Sequence, residues 1–304
     1  MKIKIFFIGV IIIILIACGK DTVSIDQEYL KKIVINAFLY PHKPVDQIRI
    51  TRNWPLNLTI EYNKVVLSDA DVVITDLTND SNISYTLTFN QDSNYFQYNG
   101  NDLIIEYGGI YRLDVNADVD GDNLSTNSVT RIPQAGFSII DSLCTDSIYF
   151  YAKNSDGTPQ QPVVVFNRSA NSEIFVFSIK ALDASITLEN FIYNHPWMGG
   201  EPEDEDILEN FNAFKYSHDA IFNSPPDQGI TEWQVMKYHL WFYGWYRIIV
   251  YTADKNYKDY YLTHADVQEM DGNFHEPVFH IEGDGIGIFG SVVADTMYFK
   301  LLQN

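Results

Sequence analysis

Apolar and polar residues alternate with period two in short runs along this chain, and that pattern restricts it to sheet. The sharpest case is Ile83-Ser84-Tyr85-Thr86-Leu87-Thr88-Phe89, where apolar side chains and hydroxyls trade places at nearly every step. Tyr111-Arg112-Leu113-Asp114-Val115-Asn116-Ala117 repeats the pattern. Successive side chains of a strand point to opposite faces, so such runs bury one face and wet the other, as antiparallel sheets do. Similar signals stand at residues 33–38, 47–51, 147–151, 163–167, 173–180 and 245–252, with turn residues between them. Residues 111–117, the turn Asp120-Gly121-Asp122 and residues 124–132 read as a hairpin closed by Pro133.

The expected fold is therefore all-β. Residues 32–135, with about seven short strands, suit an N-terminal immunoglobulin-like β-sandwich. Residues 136–304 form a second antiparallel β domain with one helix, from 254 to about 270, where Tyr257, Tyr260, Tyr261 and Val267 fall at near-helical spacing. Two closing strands, at 278–282 and 291–302, flank a glycine-rich connection. Between 189 and 232 the periodicity fails. That long insertion carries Trp197-Met198-Gly199-Gly200, the acidic run Glu201-Pro202-Glu203-Asp204-Glu205-Asp206 and the break Ser224-Pro225-Pro226-Asp227. An irregular stretch of that length inside a compact domain is usually functional or mobile.

The amino terminus gives an address. Lys2 and Lys4 precede an apolar run over residues 5–17 that ends Leu15-Ile16-Ala17-Cys18. A cationic start, a short apolar core and small residues at the junction describe an export signal, too short to span a bilayer comfortably. The junction resembles a bacterial lipobox, in which residues 1–17 are removed and Cys18 is acylated. Residues 18–31 then tether the folded part to the lipid. Losing Lys2 and Lys4 but no acid moves the formal charge from −20 to −22. So acidic a chain lacks the basic footprint that nucleic acid requires. It also lacks a polybasic lipid contact, which leaves the acyl chains on Cys18 as the tie to the membrane. Cys144 is then the one remaining thiol, so no intrachain disulfide forms. Asp141 and Asp146 beside it oppose thiolate formation and favour a packing role.

The closing third carries a further pattern. Tyr246-Arg247-Ile248-Ile249-Val250-Tyr251-Thr252-Ala253-Asp254-Lys255-Asn256-Tyr257 is followed by Glu276-Pro277. Then comes Ile281-Glu282-Gly283-Asp284-Gly285-Ile286-Gly287-Ile288-Phe289-Gly290-Ser291, leading into Ala294-Asp295-Thr296-Met297-Tyr298-Phe299. These residues resemble an uncharacterised Bacteroidota outer-membrane lipoprotein family, domain of unknown function 4249. The resemblance implies a lipid-anchored outer-membrane protein facing the cell surface, of a kind often associated with TonB-linked transporters of the SusC/SusD type. Its implied partners are an outer-membrane β-barrel, SusC-like or other, and a second lipoprotein. It implies no activity and no cofactor. Asp-Ser/Thr-aliphatic triplets at Asp21, Asp141, Asp146 and Asp295 look like the O-glycosylation triplet of exported proteins in that phylum.

Candidate chemistry weighs little against structural readings. Gly283, Gly285, Gly287 and Gly290 lack the following lysine and helix of a phosphate-binding loop, and read as a place where strands approach closely. Asp118, Asp120 and Asp122 offer alternating oxygens to a hard cation, but the EF-hand glycine and glutamate are missing, and a solvated turn is favoured. His264, Asp266, His275, Glu276 and His280 cluster without any spacing typical of zinc sites. No nucleophile elbow is present and no enzyme is expected. Binding remains. Trp197, Trp233, Trp241 and Tyr243 could anchor a protein interface or stack on sugars. The leading expectation is a non-catalytic accessory subunit of an outer-membrane complex of the TonB-dependent transporter type, using the 189–245 face. The alternative is a stand-alone surface lipoprotein that binds glycan or another nutrient.

Overall fold

Strand β1 (Ile33–Leu39) turns Ile33, Ile35, Ala37 and Leu39 inward, as its alternation demands. It pairs antiparallel with β2 (Arg49–Arg52), which sets Ile35 opposite Ile50. The computed structural model describes residues 29–55, 58–222, 229–264 and 276–303. Cys18, the leader and most of the tether lie outside them. After β2 come β3 (Asp71–Asp76), β4 (Ile83–Thr86), the short hairpin β5 (Thr88–Asn90) and β6 (Tyr95–Gln97), then β7 (Ile110–Val119) and β8 (Asp122–Arg131). The β7–β8 hairpin is the expected one. Asp120 and Gly121 both take positive φ, 53° and 84°, as a tight primed turn requires.

These strands build the immunoglobulin-like sandwich. Ile35, Ile50, Val72, Ile74, Phe96, Leu113 and Val115 fill its core. Tyr111, fully buried near the start of β7, donates its hydroxyl to the Ile104 carbonyl at 3.1 Å and accepts the Glu106 N–H at 2.8 Å. That upstream contact is the tyrosine corner of such folds. The alternating run at 83–89 is not one strand. It breaks at buried Leu87, and its halves join different sheets as β4 and β5. Because β4 is an edge strand, Ile83 stays 53% exposed despite its pattern.

The second half contributes β9 (Ser138–Ile139), β10 (Ser147–Tyr149), β11 (Val163–Arg168) and β12 (Ile174–Ala181). The insertion holds more order than its lost periodicity suggests, with helices α1 (Asp204–Glu209) and α2 (Phe211–Lys215) and strands β13 (Tyr216–Phe222) and β14 (Gly229–Gln234). β13 adds to the edge of β12, and β14 pairs along β11. Backbone pairing at a sheet edge needs no apolar alternation, which is why Tyr-Ser-His-Asp gave no strand signal. β15 (Gly244–Ala253) leads into α3 (Lys255–Thr263), the described part of the expected 254–270 helix.

β16 (Glu282–Gly283) and β17 (Gly285–Leu302) close the chain. The glycine-rich stretch is no connection between strands. It is the first half of β17, running parallel to β1 with Gly287 opposite Ile35. A Cβ on Gly287 would lie 2.1 Å from the Ile35 carbonyl oxygen, and its φ of 106° suits glycine alone. The second half of β17 pairs antiparallel with β15, giving one sheet in the order β13-β12-β15-β17-β1-β2, with β10 also on β17. Its inner face, with Phe175, Phe177, Tyr246, Ile248 and Phe299, packs on the β14-β11-β9 sheet through Phe166 and Trp233. Phe177 and Trp233 stack with ring centres 3.8 Å apart.

Candidate binding cleft

Residues 182–203 carry no regular structure, yet they are pinned to residues 240–243. The Ile192 N–H donates to the Trp241 carbonyl at 3.0 Å, and the Tyr243 N–H donates to the Asn190 carbonyl at 2.7 Å. This brings His195 under Trp241, their rings stacked 3.9 Å apart. His195 is buried. Its Nδ1 accepts the Trp197 N–H at 3.2 Å, which fixes the neutral tautomer with the proton on Nε2, donated to the Lys237 carbonyl at 2.9 Å. Burial holds the imidazole below its ordinary pKa, and Lys237 adds to that, while the ring's bonds to the Lys237 and Leu240 backbone oppose it. Phe214 and Phe191 pack on Trp241 from further sides, at 4.6 and 6.2 Å. The Trp241 Nε1–H donates to the Tyr238 carbonyl at 2.7 Å, so that indole is fully oriented.

Trp197 stands out from this base. It is 68% exposed and meets Tyr238 edge-on at 5.7 Å. Between Trp197 and Trp241 opens a cleft of about 370 Å³, lined also by Met198, Glu201, Asp206 and Phe214. Its floor is aromatic and its rim acidic. The end of the acidic run forms the first turn of α1, where the helix dipole favours Asp204, Glu205 and Asp206. The Tyr193 hydroxyl donates to Asp204 at 3.0 Å.

Of the four aromatic candidates, the cleft unites Trp197 and Trp241. Trp233 is core, 9% exposed against Phe177. Tyr243 is half-buried and edge-on to Phe150 at 6.3 Å, its hydroxyl pushed up by burial. The turn carboxylates already have partners. Arg52 binds Asp120 and Lys31 binds Asp122, each at 2.6 Å, and Asp118 accepts the Gly121 N–H at 3.0 Å. Hydrogen bonding from Arg52 holds the Asp120 carboxyl below the usual range. His280 pairs with Asp259 at 2.7 Å, and the His264 Nδ1–H donates to the Tyr260 carbonyl at 3.1 Å. Asp266 and His275 lie outside the described residues. Cys144 packs against the second core, and burial raises its thiol pKa. Ser217 Oγ and His239 Nδ1 share a hydrogen bond, but His239 is buried against Tyr238 and Trp233. Met198 and Phe214 line the cleft and His195 supports its floor through Trp241, none of the three having been singled out. A lone histidine carries no spacing signal, and only Met198 stood beside a flagged tryptophan.

An aromatic floor that is already ordered can bind an apolar or planar group at little entropic cost. Residues 20–296 match a family model described as Domain of unknown function (DUF4249). The chain belongs to that family. No curated protein matches this DUF4249 member. Among solved structures it is similar to the crystal structure of a tetra-tandem repeat in the extending region of a large adhesion protein. That match has 9% identity and a TM-score of 0.23, and covers 89% of this chain and 49% of the other. The chain thus spans about half the length of that protein.

Proposed function

We propose that this chain is a lipid-anchored outer-membrane protein that catalyses no reaction and serves as an accessory subunit of a complex built on a TonB-dependent β-barrel. The tether is an acylated Cys18, and the folded part faces outward. The reading rests on the lipobox-like leader, on the Bacteroidota lipoprotein resemblance, and above all on Trp197. A large indole exposed beside an aromatic cleft of fixed geometry has the character of an interface anchor, where Trp dominates binding energy. The partner inserts an apolar side chain between Trp197 and Trp241 and places basic groups over Glu201 and Asp206. The barrel is SusC-like or other, and a second lipoprotein is a further partner.

Copurification from outer membranes in mild detergent tests this. The wild-type chain should bring down a barrel in stoichiometric amount, and Trp197→Ala should lose it while staying folded. A barrel retained by Trp197→Ala moves the interface elsewhere, and a chain that purifies alone ends the reading. Removing residues 197–227 is a poor test, because it deletes β13 from the sheet. A second reading has its own support. A cleft of about 370 Å³ between two indoles also suits a sugar ring, within the usual size of ligand sites. A lone protein retained on a neutral glycan array through Trp197 favours that surface binder.

A further inference from the structure

The outer face of the large sheet bears the one gathering of unpaired cations among the described residues. Tyr246, Ile248, Ile179, Phe299 and Leu301 point into the core, so the residues between them point outward. Register sets Tyr216, Lys180, Arg247 and Tyr298 side by side across β13, β12, β15 and β17. Trp245 and Lys300 pair in the next outward row. Neighbours in such rows stand about 5 Å apart. Tyr298 is 54% and Trp245 44% exposed.

Elsewhere cations meet acids, as Arg52 meets Asp120, Lys255 meets Asp259 and Lys258 meets Glu173. Here Lys180, Lys215, Arg247 and Lys300 have no carboxylate partner among the described residues. The three lysines rest on rings instead. Lys180 lies 5.1 Å and Lys215 5.9 Å from the Tyr216 ring centre, and Lys300 lies 5.9 Å from that of Trp245. The Arg247 Nε is buried without a hydrogen-bond acceptor. Lys180 foremost, then Lys215 and Arg247, holds the Tyr216 phenol below its ordinary pKa, so three cations converge on one hydroxyl. Asp183, beside Trp245, directs its Oδ2 to the Trp245 N–H at 2.8 Å.

We propose that this sheet face binds an acidic saccharide, with Lys180, Lys215, Arg247 and Lys300 holding its carboxylate or sulfate groups and Trp245 and Tyr298 stacking on its sugar rings. Two chemistries meet on one surface. Cations without carboxylates call for an anion, and exposed rings between them call for a planar or ring-shaped apolar face. A free inorganic ion would leave the rings unused. The net charge of −20 does not forbid this, because screening limits distant acids to about 8 Å at physiological salt, whereas the patch acts at contact. None of these residues lines the Trp197 cleft, so the proposal stands apart from the partner reading.

Titration calorimetry on the full mature protein decides it, using hexagalacturonate, maltohexaose and sodium sulfate. Hexagalacturonate should bind, and maltohexaose should bind at least about tenfold more weakly, the scale of one charge-assisted hydrogen bond. Lys180→Gln with Lys300→Gln should cost about tenfold or more, and Trp245→Ala should weaken the saccharide without changing its salt dependence. Trp197→Ala, which removes the indole of the separate cleft, should leave hexagalacturonate affinity unchanged. Wild-type affinity should fall steeply as salt rises, a measurement that needs no variant to fold. Absence of hexagalacturonate binding overturns the proposal. So do equal affinity for maltohexaose, binding indifferent to salt or to the double substitution, and sulfate that displaces the saccharide at equal concentration.

Discussion

Thr130 Oγ1 donates a 2.6 Å hydrogen bond to Asp254 Oδ2, joining residues 124 positions apart. The other oxygen, Oδ1, accepts the Tyr257 N–H at 3.1 Å, capping α3, and the Ser291 N–H at 3.3 Å. Ser291 Oγ in turn reaches the Arg131 carbonyl at 3.0 Å. One carboxylate, 4% exposed, therefore ties the sandwich hairpin, the long closing strand and the helix together. The carboxyl's pKa is pushed up to about 6 by burial, against the pull of hydrogen bonds from Thr130 and from the Tyr257, Ser291 and Asn256 backbone. A buried polar group so fully matched fixes one arrangement of the three elements.

The raised value makes stability depend on pH in a stated direction. The folded carboxyl keeps its proton up to about 6, whereas the unfolded one loses it near 3.8. Between those values the folded state binds more protons, so stability is highest below the window and falls as pH rises through it. The loss is on the order of 3 kcal/mol. Asp254→Asn keeps the shape and the cap acceptor without the charge. Urea midpoints of wild type should therefore drop relative to Asp254→Asn between pH 4 and 6.5. Parallel curves would show an ordinary carboxylate. Asp254→Ala should cost about 2–4 kcal/mol below that window, through the lost cap and the orphaned donors, and the cost should shrink as pH rises through it.

Gly287 offers a test of the parallel β1–β17 pairing. Alanine there would set its Cβ 2.1 Å from the Ile35 carbonyl oxygen in a left-handed conformation. Gly287→Ala should cost about 3 kcal/mol or more in chemical denaturation. Gly121→Ala is the control, because its Cβ would meet open space at a similar positive φ, leaving conformational strain alone. Equal losses at the two sites would mean that β1 does not approach β17 as described.

What the residues disclosed and what they hid follow the range of each interaction. The 110–131 hairpin was legible because its turn residues and both strands are neighbours in sequence. β17 was not, because a parallel partner some 250 positions away turns glycines from loop signals into a close approach. The run 83–89 misled through its very regularity, since nothing local marks Leu87 as the point where the chain changes sheets. Trp233 and Trp241 looked alike as aromatics. Their separation comes from β14, whose register sets Trp233 opposite Val164 and turns it into the core. The cleft itself depends on His195 reaching the Lys237 carbonyl, a contact no spacing foretells.

The two tryptophans should respond oppositely to truncation. Trp233→Ala removes a ring stacked at 3.8 Å on Phe177 and should cost about 3–5 kcal/mol. Trp197→Ala removes an exposed ring and should shift stability by no more than about 0.5 kcal/mol. Guanidinium denaturation followed by circular dichroism separates them. A large loss at Trp197 would mean that its indole supports the fold, and its use as an interface probe would then fail.

The cleft should also respond to acid, with the sign opposite to that of Asp254. His195 is neutral in the fold because burial depresses its pKa below the ordinary 6.5. The unfolded chain therefore binds more protons just below that value, and stability falls as pH falls through it. Protonation also puts a hydrogen on Nδ1, where the Trp197 N–H now donates, and so breaks the contact that sets the exposed indole. In the Asp254→Asn background, which removes the competing titration, NMR of the His195 ring should show a midpoint below 6.5. Partner capture should be flat above that pH and decline beneath it, together with a change in Trp197 fluorescence. If His195 titrates at 6.5 or above, or if its protonation leaves Trp197 undisturbed, the imidazole is not the support on which the cleft stands.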